Sequence, residues 1–270
     1  SLGERKRGGL SLSVGVESQR LAAGALVRSR WARRWRKYSP LGMIYAAAVS
    51  AFYTLFFLVP FGTAVWLAFQ NWDFLTKPKF VGTRNFAKAL SDEYFWSALK
   101  VTLKFSVFEI SIGVSLALLL ALMLDQMRGK WQNLFLSLYY LPVVTPGVVS
   151  IYLWRWLYRP TGGAFNTVLA QLGLPEQPFL NSPTQALWCI IAYVIWANVG
   201  GAAVILLAGM NDVPQHLYEA ARLDGAGFWR IFFRITLPLI RPVLAYQVIV
   251  SVIGTVQMFD VFFLMGGPGF

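Results

Sequence analysis

The sequence predicts an all-α protein that crosses a membrane several times, and three observations carry that reading. Five segments are long and apolar enough to span a hydrocarbon layer of about 30 Å. Hydrophobic residues make up 57% of the 270, charged ones only 13%, and mean hydropathy is +0.54. That charged share is about half the roughly 25% of a soluble domain. Aromatic residues, at 16%, also suit a bilayer, where their rings settle at the two interfaces.

Residues 1–39 form a basic tail carrying Arg5, Lys6, Arg7, Arg20, Arg28, Arg30, Arg33, Arg34, Arg36 and Lys37. The cluster stops where the first apolar stretch begins, as in a cytoplasmic tail ahead of a membrane helix. The net charge of +12 would equally suit a nucleic-acid binder, but no soluble domain follows to display the patch, so no nucleic acid is expected. Arg28–Lys37 can lie as a helix on an anionic lipid surface, or can simply set topology.

The first span is expected over Leu41–Phe69, with Pro60 in its outer part. The second covers Leu99–Leu124, the third Leu134–Tyr158, the fourth Ala186–Gly209 and the fifth Pro242–Met265. Residues 40–270 therefore read as one transmembrane domain. With the tail inside, the inner loops add Arg128, Lys130, Arg222, Arg230, Arg234 and Arg241. The outer loops hold only Lys77, Lys79, Arg84, Lys88 and Arg159. The asymmetry places the amino terminus in the cytoplasm. The outer loops mix Trp72, Phe80, Phe86, Phe95 and Trp96 with turn signals and are expected to be folded. Five spans leave the carboxyl end outside, at a Gly-Gly-Pro-Gly turn, so a sixth, final helix is expected beyond it.

The inner loop 210–241 is the most informative stretch. Asp212 is expected to cap a helix with Pro214 in its first turn and Gln215 three residues after the cap. That helix runs through Leu217, Tyr218, Ala220, Ala221 and Leu223. Gly225 permits a turn that a Cβ would resist. A second amphipathic helix follows over Phe228, Trp229, Ile231, Phe232 and Ile235, with Arg230 and Arg234 on another face, until Pro238 and Pro242 break it. Such a unit is either a rigid knob that meets a soluble partner or an amphipathic connector.

Cys189 and His216 are the only residues of their types, which removes cysteine- and histidine-rich metal sites and Ser-His-Asp chemistry. No Gly-x-x-x-x-Gly-Lys-Ser/Thr string is present, so the chain cannot build that phosphate-binding loop. Candidate solute contacts are the third-span interruption at Pro142, Pro146 and Gly147, Asn198 in the fourth span beside Gly200-Gly201, and Gln257, Phe259 and Asp260 in the fifth. Amides, a carboxylate and stacked rings suit hydroxyl-rich sugars, although helix–helix hydrogen bonding uses the same residue types. Asp260 is read as a buried carboxylate, costly in a bilayer. Glu109 is read as a polar group facing a partner, and Lys100 and Lys104 as snorkelling outward.

The string Leu217-Tyr218-Glu219-Ala220-Ala221-Arg222-Leu223-Asp224-Gly225-Ala226, followed by Ile235-Thr236-Leu237-Pro238, resembles the EAA loop of ABC importer permeases. Its version here is similar to that of the carbohydrate-uptake, maltose-permease-F-like branch. Phe80-Val81-Gly82 with Asn85-Phe86, Leu141-Pro142 with Pro146 and Trp154, and Phe259-Asp260 with Gly266-Gly267-Pro268 agree, so the likeness runs from about Leu41 to the end. Met265 departs from the pattern. The resemblance implies a type I ABC importer transmembrane domain of about six spans in a bacterial or archaeal cytoplasmic (inner) membrane. It implies a non-catalytic permease that moves a mono-, di- or oligosaccharide; an amino sugar, a glycerol phosphodiester or a polyol is the alternative cargo. Tyr218, Glu219, Ala220, Ala221, Arg222, Asp224, Gly225 and Ala226 would couple to the ATPase, with Glu219 facing one of its basic residues. Implied partners are a second permease, two ATPase subunits that bind ATP and magnesium, and an extracytoplasmic solute-binding protein. The competing classes are a secondary transporter using Glu109 or Asp260 as proton carrier, and a membrane enzyme, for which no catalytic pair is evident.

Overall fold

The computed structural model describes residues 40–127 and 129–266. The basic tail, on which the surface helix over Arg28–Lys37 was one expectation, together with Arg128 and residues 267–270, lies outside the described residues. The chain divides into two units, residues 1–92 and 93–270.

In the first unit, α1 (Pro40–Ala68) is 29 residues long, enough to cross a bilayer, and its large apolar side chains are exposed along most of its length. It contains a π turn at Thr54–Leu58, where the Val59 N–H donates to the carbonyl of Thr54, five residues back. Pro60 follows immediately and has no N–H to give Phe56, so the ladder widens just before it. A two-stranded antiparallel ribbon, β1 (Gln70–Asn71) and β2 (Lys79–Phe80), pairs Gln70 with Phe80. Between the strands, Asp73 Oδ1 accepts from the Thr76 N–H and hydroxyl at 2.8 Å and from the Leu75 N–H at 3.1 Å. The hydrogen bonds from Thr76, then that from Leu75, hold the Asp73 carboxyl below the usual range. Asn85, in α2 (Arg84–Ser91), donates to the carbonyls of Ala68 and Gln70 at 3.0 and 2.8 Å. This loop is folded, as its aromatic content implies.

The second unit is built on α3 (Glu93–Asp125) and α7 (Ala186–Asn211), both long enough to cross a membrane. Small residues bring helices together without voids: Ala117, Ala121 and Ala203 have no exposed surface. Gly200 is closer still, because a Cβ there would run into the backbone carbonyl of Tyr139 in α4 (Lys130–Val144).

The third expected span is not one straight crossing. It is α4 and α5 (Gly147–Leu157), bent by 96°. Pro146 disfavours helical geometry at Thr145, whose ψ of 132° is extended, and the α4 ladder stops there. Beyond α5, α6 (Ala164–Gln171) folds back against α5, and a 3₁₀ turn at Phe179–Asn181 packs on α7. Asn166, only 2% exposed, donates to the carbonyls of Pro160 and Gln177 and accepts from the Gln177 N–H, each at 2.9 Å.

The fifth expected span is also broken. Helix α10 (Arg241–Val256) meets α9 (Phe228–Leu239) at 67°, and Gln257, Met258 and Phe259 separate α10 from α11 (Asp260–Met265). The second unit has two apolar clusters. One, around Phe105, Ile190, Tyr193 and Met265, draws on α3, α5, α7 and α11; the other, around Ala117, Leu206, Phe232 and Ile240, on α3, α7 and α9.

Candidate functional site

The loop 210–241 folds as two helices hinged on a glycine. α8 (Gln215–Leu223) ends in a turn where the Ala226 N–H donates to Ala221 O at 2.9 Å and the Gly225 N–H to Arg222 O at 3.0 Å. This paired closure requires a left-handed residue after the cap; Gly225 has φ +72°. The start of α8 differs from the expected capping box. Pro214 occupies the cap with extended ψ of 125°, no side chain caps the helix, and Asp212 instead closes α7 through its N–H to Ala208 O at 3.2 Å. Proline's fixed φ and missing N–H start the helix without a capping oxygen, so the acidic residue is free of that role.

Helix α9 also departs from a regular helix. A π turn spans Phe232–Thr236, with the Leu237 N–H donating to Phe232 O directly before Pro238. The same arrangement precedes Pro60 in α1, and the cause is the same lost donor. The extra residue rotates Phe232 and Thr236 inward, each 6% exposed, while Trp229 and Phe233 stack at 6.0 Å on the outer side. The hydroxyls of Tyr218 and Thr236 lie 3.2 Å apart and tie α8 to the π turn.

Val213, Leu217 and Tyr218 pack toward Leu206, Leu207 and Met210 of α7, seating the loop on the bundle. The rest of α8 and its turn is open to solvent: Ala220, Asp224 and Gly225 are exposed, Glu219 and Arg222 are exposed while also lining the cavity beside the bundle, and Ala221 and Ala226 are half-buried. Leu223 is 90% exposed at the tip, an apolar side chain with no cover on an otherwise polar face. Sequence reasoning names Leu223 and Thr236 only as members of the loop motif and gives neither a role of its own. Leu223 is detectable as a leucine four residues after Glu219, hence on its exposed face. A cavity of about 550 Å³ lies between loop and bundle, with Asp125, Gln126, Tyr218, Glu219, Arg222 and Thr236 in its lining. The arrangement offers a partner a rigid, exposed ridge whose base is locked to two membrane helices.

Residues 113–270 match the family described as Binding-protein-dependent transport system inner membrane component. The chain belongs to this family. Among relatives, the trehalose/maltose transport system permease protein MalF of Thermococcus litoralis is 32% identical over 85% of this chain and 78% of its own length. The sn-glycerol-3-phosphate transport system permease protein UgpA of Yersinia pseudotuberculosis is 35% identical over 79% and 74%. Of solved structures, a bacterial ABC transporter involved in import of the acidic polysaccharide alginate superimposes with a TM-score of 0.75. It is 27% identical and covers 88% of this chain and 82% of the other.

As a binding-protein-dependent inner-membrane component, the chain places its remaining candidates as follows. Asn198 is an exposed residue of α7 whose Nδ2 donates to Val194 O at 3.0 Å, one turn back on its own helix. Gln257 and Phe259 are exposed at the break between α10 and α11, where Phe259 stacks on Phe263 at 5.3 Å. Asp260 is exposed, not buried; it opens α11, where free backbone N–H groups favour a negative side chain. Glu109 does not face outward to a partner. It is 7% exposed inside α3, its Oε2 lacks a hydrogen-bond partner, and its other oxygen lies against Gly113. Lys100 and Lys104 are exposed, consistent with snorkelling. Among the described residues no group of His, Cys, Asp and Glu could hold a metal ion.

Proposed function

We propose that this chain is one permease of a heterodimeric carbohydrate importer, driven by ATP bound with magnesium in two partner ATPase subunits and loaded by an extracytoplasmic binding protein. The amino terminus and the α8–α9 loop lie on the cytoplasmic side, and the chain itself performs no catalysis. The observation that carries the reading is the exposed ridge Glu219–Ala226, with Leu223 bare at its tip and its base fixed to α7 and the π turn. Leu223 is the apolar anchor for a groove in the ATPase, and Glu219 the charge that sets register. Closure of the ATPase pair then moves α8 and α9 as a body and tilts α10 about the 67° bend. Asn198, Gln257, Phe259 and Asp260 are proposed to line the sugar path at helix breaks, where freed backbone groups and side chains can meet hydroxyls. Relatives named for trehalose/maltose and for glycerol phosphate support a polyhydroxylated cargo.

The test is ATP hydrolysis by the purified complex in lipid with its binding protein, across sugars and sugar derivatives. Stimulation by one of them, lost in Glu219→Ala with the permease still folded, is expected. Retention of coupled hydrolysis in Glu219→Ala would remove the ridge from the mechanism.

A further inference from the structure

At the opposite end of the second unit from the α8–α9 loop, a second cavity of about 500 Å³ is lined by Tyr152, Arg155, Trp156, Arg159, Asn181 and the end of α11 at Met265. Among the described residues no carboxylate lines it. Arg155 belongs to the last turn of α5 and Arg159 lies two residues past its end, yet both side chains line this one cavity. Arg155 spends one nitrogen on Leu264 O at 2.9 Å and lies over the Tyr152 ring at 5.9 Å. Among the described residues, the Arg159 guanidinium has no hydrogen-bond or ion-pair partner.

Arg159 is nevertheless held in place at its backbone. Gly163 packs so tightly over it that a Cβ would stand 2.8 Å from Arg159 N. Its neighbour Pro160 is pinned by the buried Asn166 amide at 2.9 Å. The backbone that carries Arg159 is fixed while its side chain is exposed and unpaired among the described residues, so an incoming anion can reach the guanidinium without first displacing a protein partner. Tyr152 and Trp156 supply apolar faces, and Asn181 an amide beside them.

We propose that this cavity binds an anionic group, a carboxylate or phosphate ester, carried on a hydroxyl-rich body. The cargo class is then an acidic sugar or a glycerol phosphate; the inference rests on the permease reading above and narrows it. The relatives named for sn-glycerol 3-phosphate and for acidic alginate import are consistent with such a cargo. A phospholipid headgroup offers the same chemistry and is the alternative source.

The experiment uses the full-length permease in its complete transporter, in nanodiscs of phosphatidylcholine alone. Saturation-transfer NMR measures binding of glucuronate and glycerol 3-phosphate against glucose and glycerol. The anions should bind about tenfold or more tightly than their neutral partners, and Arg159→Gln should remove about tenfold, the scale of one charge-assisted hydrogen bond. Arg159→Lys should keep part of it, and 0.5 M salt should weaken it. A second arm repeats the measurement in discs containing phosphatidylglycerol. If the headgroup is the ligand, that lipid abolishes the soluble-anion signal, and Arg159→Gln lowers its retention on purified protein. Equal binding of anions and neutral sugars, or an unchanged signal and lipid content in Arg159→Gln, would overturn the proposal. ATPase retention on the same sample reports the permease reading separately: if it is present while anion selectivity is absent, only the narrower inference fails.

Discussion

Gly200 and Gly201 are adjacent in α7, yet the structure assigns them opposite responses to a single added methyl. At Gly200 the Cβ of an alanine would stand 2.5 Å from the carbonyl carbon of Tyr139 and 3.2 Å from Tyr140 N. A relaxed carbon–carbon contact is about 3.5 Å, so the overlap is about 1 Å, and the obstacle is backbone that no rotamer change can move aside. Overpacking costs about 1–3 kcal/mol, and a rigid obstacle calls for the upper end. Replacing glycine by alanine inside a helix returns about 1 kcal/mol. Gly200→Ala should therefore lose about 2 kcal/mol of α4–α7 packing. At Gly201 the nearest atom is Val143 Cγ2 at 3.6 Å, an ordinary contact, so Gly201→Ala should keep the propensity gain of about 1 kcal/mol. Thermal melts of the two variants in one detergent should move in opposite directions from the parent, and uptake should fall only in Gly200→Ala. Equal shifts, or a larger loss in Gly201→Ala, would refute the close approach of α7 to α4.

Gly225→Val imposes about 1–2 kcal/mol of left-handed strain where no atom crowds the site, so it should unseat the ATPase in co-purification while the melting temperature of the bundle barely moves. Gly225→Asn should be milder, because asparagine tolerates that conformation. Tyr218→Phe deletes the 3.2 Å bond to Thr236, worth about 1 kcal/mol, and should lower cargo moved per ATP, whereas Thr236→Ser should preserve it. The ribbon between β1 and β2 should answer to pH through Asp73, whose carboxyl is held below the ordinary value of about 3.9. A depressed folded value means the stabilisation is complete above that ordinary value and is lost only as pH falls through the lowered one. Fluorescence of Trp72, whose indole donates to Thr76 O, should hold steady from about pH 7 to 5, shift only below about pH 4, and shift at every pH in Asp73→Ala.

Much of the fold was legible because its signals are local. Leu99–Leu124 and Ala186–Gly209 are long, predominantly apolar runs, and the helices found, Glu93–Asp125 and Ala186–Asn211, contain them. The turn at Gly225 was legible for the same reason, since the conformation it needs is a property of one residue. The start of α8 was misread because Asp212 and Pro214 fit two caps equally well, and the end of α7 claimed Asp212 first. The environments of Glu109 and Asp260 were reversed: one is buried within its own bundle and the other exposed at a helix start. Hydropathy reports that both sit in apolar segments and carries nothing about which side faces a neighbour.

The sequence by itself determined that this is a polytopic helical membrane protein with a loop motif of fixed spacing over Leu217–Pro238, because span length, composition and a contiguous motif are properties of adjacent residues. Only the tertiary structure decided how sharply the spans bend at their proline breaks, that Tyr218 meets Thr236, and that Arg155, Arg159, Trp156 and Asn181 share one cavity. Those facts join residues of different elements, and what brings them together is packing between helices, which each helix can satisfy only in the presence of the others.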